Sequence, residues 1–296
     1  METNEIIFTH QIAPTEFVLP DNGIKYAYQL LSLPDGIPLF LHTHFRSNMD
    51  FSDPALIDTL GARRPVVLFD SGGVGKSTGE VPETFQGWAD HLIAFVQALG
   101  LEQIDLLGYS MGGCAAQVAL TAPHLIRKLI LAGTMPSQGP VDIPARPEPI
   151  ALLASAKVDE EFEIALAKSF YNWTDEGRAA AKVSWDRIQL RRHDRAPFLD
   201  LKSSAQQRAA TSDWKQRNPN YSYDRLEELK MPVLTANGDN DLLIPTVHSW
   251  NMMDKIRNAQ LIIYPEAGYG FLFQYAELFA NHVHTFLDGH GMKASL

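Results

Sequence analysis

Cysteine is almost absent from this chain: among its 296 residues, Cys114 is the only one. A single cysteine cannot form an internal disulfide, and it cannot build a metal site from several thiolates. The sequence therefore excludes a disulfide scaffold and a structural zinc module. We interpret Cys114 as a small core residue, since free cysteines are commonly buried.

Long apolar runs and an excess of basic charge are also lacking. No stretch approaches the ~18 apolar residues of a membrane span, and the first ten residues lack the apolar centre of a secretory signal. Acidic residues outnumber basic ones by 35 to 25, which gives a formal charge of −10. Such a chain is a poor candidate for binding nucleic acid or an anionic membrane surface. We expect a cytoplasmic protein that binds a small molecule, with no nucleic acid or membrane partner; a homodimer stays open.

Short apolar runs alternate with longer helical patterns, which is typical of βαβ units and a mostly parallel sheet flanked by helices. Several runs are almost continuously apolar, as expected for strands that are covered on both faces. The predicted strands are Lys25–Leu31, Pro38–Thr43, Val66–Asp70, Ile104–Gly108, Lys128–Ala132, Val233–Asn237 and Gln260–Tyr264. The predicted helices are Glu83–Leu99, Met111–Ala122, Val247–Arg257 and Phe273–Leu287.

The segment 135–223 has a different pattern, with a proline-rich beginning followed by amphipathic stretches and no clear strand. We predict an α/β core domain formed by residues 1–134 and 224–296, with 135–223 as an inserted helical cap. The densest basic stretch, Arg191-Arg192-His193-Asp194-Arg195, predicts a solvated helix face. The segment's aromatic residues either line an apolar pocket or form a local core: Tyr171, Trp173, Trp185, Phe198 and Trp214.

The strongest chemical signal is Gly108-Tyr109-Ser110-Met111-Gly112-Gly113. It follows an apolar strand pattern and precedes a helical one, which is the context of a nucleophile elbow, a sharp turn that exposes a serine hydroxyl at the edge of a sheet. The start of the following helix directs backbone N–H groups towards developing negative charge. We therefore predict Ser110 as a nucleophile.

Two further loops complete this pattern. The loop after Pro38–Thr43 would place the N–H of Phe45 beside Ser110, where it forms an oxyanion hole with the N–H of Met111. Asp241 follows another predicted strand, and the chain order of serine before acid is that of the hydrolase triad. We favour Asp241 as the triad acid and interpret Asp239 as structural.

With these motifs the chain resembles the α/β-hydrolase superfamily over about residues 17–287. Two more loops are similar to loops of that family, the one after Phe69 and the one containing Ala267-Gly268-Tyr269-Gly270-Phe271. The resemblance implies a Ser–His–Asp mechanism through an acyl-enzyme, a helical cap that shapes the pocket, and no metal or organic cofactor. It implies an esterase-like hydrolase, and does not name the substrate.

The chain departs from the family at the position of the catalytic histidine, which is occupied by Tyr269. None of the ten histidines lies in that loop. A phenol with a pKa near 10 is only about one part in a thousand ionised at pH 7, so it cannot replace imidazole as a base. Removing the histidine of such a triad costs on the order of 10⁶ in turnover, with roughly 10³–10⁴ over water remaining.

Four explanations of Tyr269 stay open at this stage. Another histidine reaches Ser110, with His44 as the nearest candidate, or the site runs non-hydrolytic isomerase or cyclase chemistry in which Tyr269 is a neutral hydrogen-bond donor. Alternatively the protein is a catalytically silent binder, or Tyr269 is a natural or engineered loss of function. We expect an enzyme that acts on a small, fairly apolar ester, lactone or polyketide-like carbonyl compound, for which secondary metabolism is one setting.

Overall fold

The computed structural model describes residues 9–31, 35–113, 119–141 and 143–289. Cys114 and the middle of the predicted helix Met111–Ala122 lie outside these residues. All seven predicted strands are present within a residue or two of their expected bounds, and the described part of the chain has one strand more. The strands are β1 Glu16–Val18, β2 Tyr26–Leu31, β3 Leu39–His42, β4 Val66–Phe69, β5 Ile104–Tyr109, β6 Ile126–Ala132, β7 Val233–Gly238 and β8 Ala259–Tyr264.

The strands form one sheet in the order β1-β2-β4-β3-β5-β6-β7-β8. The first two pairs, β1 with β2 and β2 with β4, are antiparallel, and every later pair is parallel. Because parallel strands end at the same edge, the loops after β3, β5, β7 and β8 meet there. This edge collects all the residues that the sequence singled out for chemistry.

Helices cover both faces of the sheet. Their bounds are α1 Pro54–Gly61, α2 Phe85–Ala98, α3 Pro147–Ser155, α4 Asp159–Phe170, α5 Asp175–Ile188, α6 Leu201–Trp214, α7 Ser222–Arg225, α8 Val247–Lys255, α9 Phe271–Gln274 and α10 Ala276–Asp288. Along β5, Leu106 belongs to one buried apolar cluster and Leu107 to the other. This alternation explains why the central strands are apolar at nearly every position.

One predicted helix differs from the structure, and one short helix was not predicted. The predicted helix Phe273–Leu287 is two helices, α9 and α10, which are separated at Tyr275. The short helix α1 was not predicted, although its start carries the expected signals: Asp53 accepts a hydrogen bond from the N–H of Ala55 at 2.9 Å, and Pro54 occupies the first helical position.

The chain between β6 and β7 holds α3 to α7, and its described residues include no strand. We refer to residues 135–223 as the helical insertion. Ion pairs join it to the core. In one of them the guanidinium of Arg187 on α5 binds the Asp53 carboxylate, which also accepts a hydrogen bond from Ser184 at 2.7 Å.

The prediction of a solvated helix face at residues 191–195 was wrong about the helix and about Arg191, whereas Arg192, His193 and Asp194 are exposed as predicted. These residues follow the end of α5 and are not helical, and Arg191 is only 2% exposed. Its Nε lies 2.7 Å from an oxygen of buried Asp50, and its Nη1 donates to the carbonyls of His10 and Ala13. A buried carboxylate requires such a partner, and the sequence pattern alone does not reveal that one exists.

None of the helices in the described residues is long and apolar enough to cross a membrane.

Candidate active site

Ser110 follows the last residue of β5 and has a backbone φ of 61°. Residues other than glycine seldom adopt this left-handed conformation, and such strain is characteristic of functional turns. A short 3₁₀ turn, Ser110–Gly113, continues from it. The side chain of Ser110 is partly exposed, whereas Tyr109 and Met111 on either side are buried. The turn therefore presents one hydroxyl at the edge of the sheet.

Glycine is required at two positions of this turn. A Cβ atom on Gly112 would lie 2.4 Å from the carbonyl oxygen of His42, and one on Gly113 would lie 1.7 Å from Oγ1 of Thr134. The Thr134 hydroxyl also donates a hydrogen bond to the carbonyl of Ser110 at 2.6 Å. The ends of β3 and β6 thus hold the turn from both sides.

Tyr269 lies in the loop between β8 and α9 and is 2% exposed. Its phenol lies beside the side chain of Ser110. The ring packs against Tyr109 and Phe170, with centroid distances of 4.7 and 4.6 Å. Burial raises the pKa of Tyr269 well above its usual value near 10, the nearby Asp241 carboxylate adds to this, and the Ser110 hydroxyl opposes it. At neutral pH the group facing Ser110 is therefore an uncharged phenol.

Asp241 follows β7 and is also buried. Its Oδ1 accepts hydrogen bonds from the N–H groups of Leu243 and Ile244, both at 2.8 Å. Its Oδ2 is buried and has no hydrogen-bond partner among the described residues. The amide of Asn237 lies near this carboxylate but donates to the carbonyl of Ile244 at 3.2 Å. Burial raises the pKa of Asp241 to about 7, against the lowering effect of the two backbone donors.

Asp239 has a different role from Asp241. Its two carboxylate oxygens accept hydrogen bonds from the N–H groups of Glu266 and Ala267, at 2.9 and 3.1 Å. These bonds tie the loop after β7 to the loop that carries Tyr269. The geometry fits the interpretation of Asp239 as a structural residue.

Phe45 and Met111 line one cavity together with Ser110. The cavity has a volume of about 330 Å³ and is mostly apolar. The core contributes Phe85, Thr134 and Ile244 to its lining, and the helical insertion contributes Met135 and residues of α3 and α6. Tyr269 and Asp241 are not among the lining residues, so Ser110 separates them from the space where a ligand would bind.

His44 lies behind Phe45 and does not line this cavity. Its Nδ1 is 3.1 Å from the carbonyl oxygen of Phe45, and its ring packs edge-on against Tyr109 and Phe170. Burial lowers the pKa of His44 to about 4, so its ring is neutral at pH 7. This position favours a packing role for His44 over that of a substitute base.

The aromatic residues of the insertion divide between the two roles that the sequence left open. Trp214 lines the cavity above Ser110. Phe198 stacks on Phe51 and Phe162 at centroid distances of 3.4 and 3.6 Å, and Trp185 is buried beside it. Trp173 is 62% exposed.

Sequence reasoning missed the polar part of the cavity lining, which α6 and the residue after it supply. These residues are Arg208, Thr211, Ser212 and Lys215. Their spacing of three, one and three is that of one helix face, which could have been seen in the sequence. No group of three metal-ligating side chains occurs in the described part of the chain.

A family model for the alpha/beta hydrolase fold matches residues 36–274. The chain belongs to this family. A poly(3-hydroxyalkanoate) depolymerase from Ectopseudomonas oleovorans is 27% identical over 276 residues, which cover 88% of each chain. A proline iminopeptidase from Lactiplantibacillus plantarum is 28% identical over 283 residues, covering 84% of this chain and 92% of the relative.

The structural comparison agrees with the family assignment. An alpha/beta hydrolase fold protein from Chitinophaga pinensis superposes with a TM-score of 0.86 at 28% identity, covering 96% of this chain and all of that one. The predicted fold, a mostly parallel sheet flanked by helices, is confirmed. The chain is thus an α/β-hydrolase whose relatives are named as hydrolases acting on different bonds.

Proposed function

We propose that this α/β-hydrolase binds a small, largely apolar ester or lactone in the cavity above Ser110, with the substrate carbonyl next to the serine hydroxyl. The observation that carries the proposal is the strained Ser110, which opens into a cavity of about 330 Å³ beside Phe45 and Met111. The size suits a small molecule, and a few polar groups in an apolar lining are typical of such sites.

In this proposal Ser110 attacks the carbonyl carbon, and the N–H groups of Phe45 and Met111 stabilise the negative oxygen that forms. The helical insertion acts as the cap that closes the cavity. Its α3 supplies the apolar wall through Ile150, Ala151 and Ala154. The names of the relatives support acyl chemistry, since a polyester and a peptide both react at a carbonyl carbon.

Tyr269 limits the rate of this reaction. An uncharged phenol cannot accept the proton that Ser110 loses, because a general base must take up that proton near neutral pH. The unpaired Oδ2 of Asp241 supports this view, since an imidazole in place of the phenol would supply a donor for that oxygen. We therefore assign the chain a hydrolase site that lacks only its base.

The test is the turnover of p-nitrophenyl acetate and short-chain p-nitrophenyl esters by the chain and by a Tyr269→His variant. We expect the variant to gain several orders of magnitude, because the deleted histidine of such a triad accounts for roughly 10⁶ in turnover. Adding Ser110→Ala to the variant should abolish the gain. Equal rates in the chain and the variant, both abolished by Ser110→Ala, would contradict the assignment and indicate another base.

A second candidate is non-hydrolytic isomerase or cyclase chemistry on an enolisable ketone. It is favoured by the neutral phenol of Tyr269 beside Ser110, which stays protonated because burial raises its pKa. A buried neutral phenol can donate a hydrogen bond to a developing enolate, as in ketosteroid isomerase. This candidate requires activity that survives Ser110→Ala and is lost in Tyr269→Phe.

A further inference from the structure

The cavity above Ser110 has two unlike walls. The wall formed by α3 is apolar and consists of Ile150, Ala151 and Ala154. The other wall is formed by α6 and the residue after it, and it carries two cations and two hydroxyl groups, those of Arg208, Thr211, Ser212 and Lys215. Among the described residues that line the cavity there is no carboxylate. A purely apolar substrate would form no hydrogen bond or ion pair with the polar groups of the second wall.

The two cations lie on one side of the helix. Arg208 and Lys215 are seven residues apart, which is about two helical turns or roughly 10 Å along the axis. Both are exposed at the rim of the cavity. Neither forms an ion pair among the described residues, whereas Lys202 on the same helix lies 2.9 Å from the carboxylate of Glu80.

This pairing pattern is informative because the chain is acidic. With 35 acidic and 25 basic residues, a cation on the surface has an excess of carboxylates available to it. The acids closest in sequence are engaged elsewhere: Asp213 accepts a hydrogen bond from the Tyr221 hydroxyl at 2.6 Å, and Asp200 caps the start of α6. Positive charge is therefore concentrated at the mouth of the cavity that contains Ser110.

We propose that this wall is an anion subsite, and that the substrate carries a carboxylate in addition to the carbonyl that meets Ser110. Arg208 is the main contact, because a guanidinium binds a carboxylate through two parallel hydrogen bonds. Lys215 assists as a second charge, since it also borders a neighbouring cavity of about 230 Å³ whose lining includes Asp254. The substrate class is then a half-ester of a dicarboxylic acid, with its methylene chain along the apolar wall.

This inference rests on the proposed function, but its first test needs no turnover. The affinity of the chain for 5-phenylpentanoate and for the corresponding neutral amide is measured by calorimetry. We expect the carboxylate to bind about tenfold more tightly, as for a hydrogen bond to a charged group, with a smaller preference at high salt. The variant Arg208→Gln should lose the preference, and the control Lys202→Gln on the same helix should keep it.

The second test uses the Tyr269→His protein. The kcat/KM for mono-p-nitrophenyl glutarate is compared with that for p-nitrophenyl pentanoate, which has the same acyl length and no charge. We expect a preference for the glutarate ester that Arg208→Gln removes. A matched pair carries the carboxylate on the leaving group, acetylated 3-hydroxybenzoate against phenyl acetate. A preference in this pair that exceeds the preference for the glutarate ester would overturn the half-ester assignment.

Equal affinities for the carboxylate and the amide, or a preference that Arg208→Gln leaves intact, would overturn the anion subsite. An inactive Tyr269→His protein that still binds the carboxylate preferentially would overturn the proposed hydrolysis and leave the subsite standing. The two failures are thus distinguishable.

Discussion

The phenol of Tyr269 lies beside the side chain of Ser110, so a neutral group occupies the position where a serine hydrolase needs a base. The phenol is buried between the rings of Tyr109 and Phe170, so it cannot turn away without leaving a gap in the packing. In the proposed function the chain therefore keeps a nucleophilic serine and differs in the group that would activate it.

The variant Tyr269→Phe separates packing from chemistry at this position. Phenylalanine keeps the ring contacts and removes only the hydroxyl, so we expect the residual turnover of p-nitrophenyl acetate to change by less than about tenfold. In the proposed function that residual rate would depend on the proposed oxyanion hole and on binding, which the substitution leaves in place. The control is the variant Ser110→Ala, for which we expect the serine-dependent turnover of p-nitrophenyl acetate to be abolished.

The opposite result would change the functional assignment. Activity on an enolisable ketone that persists in Ser110→Ala and disappears in Tyr269→Phe would mean that the phenol itself transfers or donates the proton. The reaction would then be non-hydrolytic.

Asp241 should make the stability of the chain depend on pH. Its pKa is about 7 in the folded chain and near 4 when unfolded. Because the folded state binds the proton more tightly, this group reduces the free energy of unfolding as the pH rises from about 4 to 7. The variant Asp241→Asn cannot ionise, so we expect it to gain stability relative to the parent chain over this range. Each pKa unit corresponds to about 1.4 kcal/mol.

Urea denaturation of both proteins at pH 5 and pH 8 measures this difference. The comparison isolates Asp241 from the buried histidines His10, His42 and His44, whose pKa values are lowered to about 4 and which act in both proteins alike. A difference between the two proteins that stays constant with pH would contradict the raised pKa.

Gly113→Ala tests the packing of the turn. The added methyl group would overlap the Thr134 hydroxyl, whose oxygen lies 1.7 Å from the position that the new Cβ would take and also holds the carbonyl of Ser110. We expect a loss of roughly 1–3 kcal/mol, which is typical of overpacking, together with reduced turnover in the Tyr269→His background. In a double-mutant cycle with Thr134→Ala, the combined loss should be smaller than the sum of the single losses. If the losses of the two single variants add up in the double variant, the methyl group of Gly113→Ala does not act through Thr134.

The sequence predicted most of the sheet and the edge at which Ser110, Asp241 and Tyr269 lie, because both depend on local patterns. Leu129–Ala132 is apolar at every position, and Ser110, Asp241 and Tyr269 each follow a predicted strand. The strand β1 was missed because Glu16–Val18 has three residues and lies largely exposed at the sheet edge. The polar face of α6 was visible in the sequence, but its position in the cavity wall could not be predicted, since it depends on how the helical insertion packs on the core through contacts between distant residues.

Arg46 is the clearest of these distant contacts. It follows Phe45, has a φ of 60° and is 2% exposed. Its guanidinium donates to the carbonyls of Leu153 and Ala156 at the end of α3, at 2.9 and 2.6 Å, and also to the carbonyl of Leu199. The last carbonyls of a helix lack partners within the helix, and a cation there satisfies both their hydrogen bonds and the helix dipole.

Arg46→Met should therefore loosen the apolar wall of the cavity and the loop that carries Phe45. Methionine fills a similar volume but leaves buried carbonyl groups unpaired, and each such group costs about 1–3 kcal/mol. We expect the free energy of unfolding to fall by a few kcal/mol. In the Tyr269→His background we expect kcat to fall more than KM changes, since the Phe45 N–H, in its proposed role in the oxyanion hole, would act mainly in the transition state. Arg178→Met, which removes an exposed arginine of the insertion, is the matched control. A change in KM alone would restrict Arg46 to shaping the binding wall.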